Sequence, residues 1–199
     1  MGLRESLGQI DWKQVSWQYW NSLTTEIPDY IFQMLLSIIC AGTMLFVVWK
    51  GSWKGMLYSS RLLLVVYLIV VYCYTIIFRN SNETFRYDFH PLWSYFAISD
   101  GRSILLAQNI MNVIVFLPLG LLIGLGFSKW SWWKAIGFGC LFSISIEFLQ
   151  FAFKRGFSEV DDVIHNTLGC VIGYGIAKLI ILSFGGNGKM MGGEIASHR

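Results

Sequence analysis

Residues 30–49 pass without a single charged side chain, and residues 62–78, bounded by Arg61 and Arg79, do the same. Runs of this length are what a helix needs to cross a hydrocarbon core of about 30 Å at about 1.5 Å per residue. Inside lipid the backbone must satisfy its own hydrogen bonds, so a chain built from such runs is confined to spanning helices packed on one another. Further apolar runs follow at residues 109–127, 132–153 and 163–184. The expected fold is an all-α, polytopic integral membrane bundle of about five transmembrane helices.

Composition closes off the alternatives. With 55% hydrophobic and only 14% charged residues, the chain has too little polar surface to wrap a water-soluble core. The net charge of +3 is scattered over short loops and forms no basic stripe, so a nucleic-acid partner is not expected. Cys40, Cys73, Cys140 and Cys170 all fall in apolar runs without a C-x-x-C neighbour, which leaves neither a disulfide frame nor a thiolate metal site. No metal or other cofactor is expected.

The domain reading is correspondingly simple. Residues 1–29, with Trp12, Trp17 and Trp20, read as an amphipathic N-terminal helix lying in the interface. Residues 30–184 form the bundle, and the glycine-rich residues 185–199 read as a flexible tail. The first thirty residues lack the pattern of a removable signal peptide, so insertion is expected to use the spans themselves. Lys50, Lys54 and Arg61 place the loop after the first span in the cytoplasm. Alternation then puts the N-terminus and the loop at 79–108 outside and the C-terminus inside. That long loop mixes charges with Phe85, Phe89, Trp93, Tyr95 and Phe96, a density of aromatics expected of an ordered segment dipping into the interface.

The last three spans carry residues an oily helix should not contain. A charge at the bilayer centre costs roughly 2.5 to 3.5 kcal/mol, so such groups persist where they are partnered or useful. Asn109 and Asn112 open the third span. Ser143, Glu147 and Gln150 recur at i, i+4, i+7 near the end of the fourth, which sets them in one stripe. Arg155 lies in the turn, and Asp161, Asp162 and Asn166 open the fifth. Whatever the orientation, these ends share one side of the membrane. The expected site is therefore one polar cavity lined by Asn109, Asn112, Glu147, Gln150, Arg155, Asp161, Asp162 and Asn166.

Plain structural roles compete for several of them. Ser158 with Asp161 resembles a capping box, Glu147 can pair with Arg155 across the turn, and Gln150 and Asn166 can stitch helices together. Gly169-x-x-x-Gly173 would let the last span approach a neighbour closely.

These segments, taken in order, resemble the VanZ-like family. The resemblance rests on Asn112 with Phe116-Leu117-Pro118-Leu119-Gly120, then Ser143-Ile144-Ser145-Ile146-Glu147-Phe148-Leu149-Gln150, then Arg155, then Asp161-Asp162-Val163-Ile164-His165-Asn166-Thr167-Leu168-Gly169 with Gly173. It covers about residues 79–177. His165 stands where that family usually has an apolar residue, and the first span looks like an addition to a four-helix core. The resemblance implies a multi-pass protein of the bacterial plasma membrane associated with resistance to the glycopeptide teicoplanin.

It does not bring a settled reaction. One reading is a binding or envelope-modifying protein whose outward cavity holds a membrane lipid, a lipid-linked cell-wall precursor or the glycopeptide itself. Another is a membrane-embedded hydrolase or transferase with Glu147 as general base and Asp161 or Asp162 assisting, Glu147 and Asp162 being the catalytic candidates. A third is a small oligomeric transporter. No H-E-x-x-H, G-x-S-x-G or Cys-His pattern favours the enzyme.

Overall fold

The computed structural model describes residues 53–185. The expected interfacial segment, the first span at 30–49 and the tail beyond residue 185 lie outside the described residues. The elements are α1 (Trp53–Tyr72), continued by a π-helical turn (Cys73–Ile77), β1 (Tyr87–Asp88), α2 (Trp93–Ser99), α3 (Ile104–Gly126), α4 (Trp132–Ala152), β2 (Ser158–Glu159) and α5 (Val160–Gly185).

Among the described residues, four helices are long and apolar enough to cross a membrane: Gly55–Ile77, Ile104–Gly126, Trp132–Ala152 and Val160–Ser183. They are the last four expected spans, and the protein is an all-α membrane bundle. The small exception is β1, which pairs in parallel with β2 over Tyr87–Ser158 and Asp88–Glu159. α1, α3 and α5 begin earlier than the apolar runs suggest, and α4 begins at Trp132 as expected. Arg61, taken as a span boundary, lies inside α1: its Nε donates to the Gly126 carbonyl at 2.8 Å, and its guanidinium sits 5.0 Å from the Phe127 ring centre. A long basic side chain can lie along an apolar helix and still deliver its charge to a polar partner, so it does not end the helix.

The tightest seam joins α3 and α5, the most extensive helix pair of the bundle. A Cβ on Gly169 would fall 2.2 Å from the Val113 carbonyl oxygen, one on Gly173 2.0 Å from that of Leu117, and one on Gly120 1.9 Å from that of Cys170. The two backbones therefore touch, as the Gly169-x-x-x-Gly173 spacing leads one to expect. Pro118 sits inside α3 without ending it. Leu119, Leu122, Ile123, Tyr174 and Ala177 fill the middle of the bundle, and α4 packs on α5 with Gly139 against the Cys170 side chain. At one end, Lys178 Nζ donates to the Ser128 carbonyl at 2.6 Å and the Tyr174 hydroxyl donates to the Trp130 carbonyl. The polar residues singled out from the sequence are at the other.

Candidate functional site

The mouth of the bundle starts from the end of α1. A π-helical turn throws its carbonyls out of the usual ladder, leaving acceptors for other segments. The Thr75 carbonyl accepts from Gln150 Nε2 at 3.3 Å, the Ile77 carbonyl from Arg155 Nη1 at 2.5 Å, and the Ile76 carbonyl from the same Nη1. The expected Glu147–Arg155 ion pair does not form. Arg155 instead closes the C-terminal end of α1, where the helix dipole favours a cation. Buried Glu147 turns the other way and accepts the Glu159 main-chain N–H on Oε2 at 2.9 Å.

The expected capping box also fails, for a related reason. Ser158 lies in β2, its N–H bonded to the Arg86 carbonyl at 3.0 Å and its hydroxyl donating to the Glu147 carbonyl at 3.1 Å. Asp161, fully buried, reaches a different segment. It accepts from the Leu92 N–H at 2.5 Å, the Ser94 N–H at 2.9 Å and the Ser94 hydroxyl at 2.5 Å. Asn109 Nδ2 donates to that hydroxyl at 3.0 Å. Asp161 thus satisfies the free N–H groups at the start of α2, which Leu92 enters at φ +64°, and fastens the outer loop to the bundle.

Asp162 faces inward. Its Oδ1 accepts from Asn112 Nδ2 at 2.6 Å, joining α5 to α3, and its charge acts on Glu147 of α4 and on Glu159. One turn deeper, Asn166 Nδ2 donates to the Ser143 hydroxyl at 2.9 Å. The residues singled out from the sequence thus divide into sets: Asn112, Glu147 and Asp162 at the centre, Asn109 and Asp161 under α2, Gln150 and Arg155 on α1, and Asn166 against Ser143. Asn166 and Gln150 are helix stitches.

Several contributors escape a sequence reading. Glu159 accepts from the Trp93 indole N–H on Oε2 at 3.0 Å, and His165 Nε2 bonds the Tyr95 hydroxyl at 2.8 Å. Arg79, read only as the boundary of a span, is the cation whose field reaches Asp162. Only the loop's folding back over the bundle brings these groups in, and no spacing in the chain encodes that. Among the described residues, buried Gln150 Oε1 has no hydrogen-bond partner. Among the described residues no three His, Cys, Asp or Glu side chains are disposed to hold a metal ion.

Burial, and after it the nearby Asp162 charge, pushes the Glu159 carboxyl up from an ordinary 4.5 to about 8. The fold therefore favours the protonated form. This group's contribution to stability is fully present below about 4.5 and is lost as pH rises through about 8. Thermal unfolding of the protein in detergent is expected to move to lower temperature over that window, with a shallower slope in Glu159→Gln. An unchanged slope in the variant would remove Glu159 as the cause.

A model of the VanZ/LLP1 family matches residues 62–182. The Protein VanZ of Enterococcus faecium is 30% identical over 126 residues, which cover 60% of this chain and 75% of that one. No solved structure matches. The family match starts inside α1, earlier than the resemblance at 79–177 suggests, because residues 62–78 carry no charged side chain to recognise. It takes in the whole polar mouth.

Proposed function

The chain belongs to the VanZ/LLP1 family, and from that premise we propose that it is a bacterial plasma-membrane protein that binds the headgroup of a membrane lipid or lipid-linked cell-wall precursor at this mouth and so contributes to resistance to glycopeptides such as teicoplanin. One observation carries the reading. Glu147 and Asp162 come from two different spans, Asp162 accepts from Asn112 of a third, and neither carboxyl takes part in an ion pair within 4 Å among the described residues. Carboxylates in such a place are costly and are retained where a polar ligand or a proton meets them.

The surroundings suit an amphiphile. Phe85, Tyr87 and Phe89 gather on Phe151 at the rim, with ring centres 5.0 to 6.0 Å apart, and the first three are more than half or about half exposed. Aromatic rings at headgroup depth are the usual companions of lipid chains. In this reading the mouth faces outward and the C-terminus lies in the cytoplasm, as the basic loop with Lys50, Lys54 and Arg61 suggests by the positive-inside rule. A hydrolase or transferase with Glu147 as general base would use the same pair. Binding is favoured because both carboxylates already accept well-placed donors, Glu147 from the Glu159 N–H and Asp162 from Asn112 Nδ2.

The test is complementation in a strain lacking the protein, with Glu147→Gln and Asp162→Asn. Both are expected to accumulate as folded protein, shown by gel filtration of a fluorescent fusion, while teicoplanin susceptibility returns to that of the deletion strain. Full resistance in both variants would sink the proposal. So would a wild-type protein with no saturable affinity for any envelope lipid.

A further inference from the structure

One cation at the mouth, Arg79, lies against a neighbouring turn without an ion pair within 4 Å among the described residues. Arg79 follows α1 directly, just beyond the end of the span at Ile77, and is exposed. Its guanidinium is nevertheless held against the turn between α4 and β2. A Cβ on Gly156 would fall 2.5 Å from Arg79 Nη1, 2.8 Å from Cζ and 3.1 Å from Nε. Gly156 has φ +86°, a backbone conformation that favours glycine, and its missing Cβ leaves the room in which the guanidinium lies.

The segments on either side are fastened together. The Asn82 N–H donates to the Lys154 carbonyl at 2.7 Å, Asn82 Nδ2 donates to the Gly156 carbonyl at 2.8 Å, and Ser81 bridges to Arg155. Arg79 therefore lies beside two segments of chain that are anchored to each other. The neighbouring Arg155 is committed through Nη1 to the α1 carbonyls. A planar fork with five donors, lying just beyond the end of a span, suits a tetrahedral oxyanion.

We infer that Arg79, positioned by Gly156, is the residue that reads a phosphate group at this mouth, whether on a lipid or free in solution. The inference rests on the headgroup-binding reading and names its anion-recognising contact. Arg155, the cation a sequence reading selects for that role, closes a helix instead.

The experiment uses full-length protein in a maltoside detergent, titrated separately with phosphatidic acid, with diacylglycerol of the same chains and with inorganic phosphate. Phosphatidic acid is expected to bind saturably and diacylglycerol not to compete. Arg79→Ala should weaken phosphatidic acid by about tenfold or more, as expected for loss of a charge-assisted contact. Gly156→Ala keeps the charge but displaces the guanidinium, and should weaken binding similarly. Arg86→Ala, a cation elsewhere on the same loop, should bind as the wild type does. Arg79→Lys keeps the charge without the fork and serves if the alanine variant does not fold; it should fall below wild type.

Equal binding by wild type, Arg79→Lys and Gly156→Ala overturns the inference and leaves the headgroup reading standing. Diacylglycerol binding as well as phosphatidic acid overturns it too, since the phosphate is then not read. Inorganic phosphate binding alone, lost in Arg79→Ala, supports the phosphate contact and sinks the lipid reading. Absence of any saturable binding to the wild type overturns both.

Discussion

Gly173→Val is expected to leave no folded bundle. Even the first carbon of the new side chain would sit 2.0 Å from the Leu117 carbonyl oxygen and 2.9 Å from both the Leu117 carbonyl carbon and the Leu121 nitrogen. These are main-chain atoms of a spanning helix, so no rotamer change relieves the clash and α3 and α5 must part along their whole seam. Ordinary overpacking of a core costs about 1 to 3 kcal/mol with side chains free to move; here the cost is expected to exceed that, against a total stability of about 5 to 15 kcal/mol. Gel filtration of a fluorescent fusion should show aggregate in place of a single peak. Gly137→Ala is the matched control, since a Cβ there meets nothing within 4 Å, and it should run as wild type. A monodisperse Gly173→Val with wild-type melting would show that the seam is not as tight as described.

Asp161→Ala is the second large effect, and a local one. It strips partners from the Leu92 N–H, the Ser94 N–H and the Ser94 hydroxyl, and through Ser94 loosens Asn109. A buried donor left without an acceptor costs about 1 to 3 kcal/mol, so the outer loop and α2 should detach while the spans remain assembled. Hydrogen exchange should rise across residues 87–103 and trypsin should gain access at Arg86 and Arg102, with α3 and α5 still protected. Unchanged exchange in that segment would mean that the loop is held by its aromatic contacts and not by Asp161.

The contrast between these variants tracks what the sequence made legible. Spans reveal themselves because twenty apolar residues have few other uses, and the glycines of the α3–α5 seam reveal themselves because a four-residue spacing sets them on one helix face. Both are properties of a single helix. Asp161 reads as part of a cap because a serine and an acid three residues apart suit one equally well in isolation, and only the returning loop supplies its actual donors. Glu147 and Arg155 look like partners because they flank one turn; the α1 carbonyls that claim Arg155 are some eighty residues back in the chain. Arg79 carries no mark at all until Gly156 is placed beneath it. Asn112, Glu147 and Asp162 stand out in the sequence because polar groups inside apolar spans are conspicuous wherever they fall.

The π-helical turn at Cys73–Ile77 bears on how such a chain tolerates change in length. A turn of this kind holds one residue more than an α-helix needs, so deleting a single residue there would restore a regular helix and leave every individual side chain acceptable in lipid. It would also swing the carbonyls of Thr75, Ile76 and Ile77 around the helix axis, away from Gln150 and Arg155, and turn Arg79 off Gly156. The fragility of the mouth thus lies in counting as much as in chemistry. Substitutions along α1 can be absorbed one by one, whereas a gain or loss of one residue at its end would disengage every contact the turn makes at once.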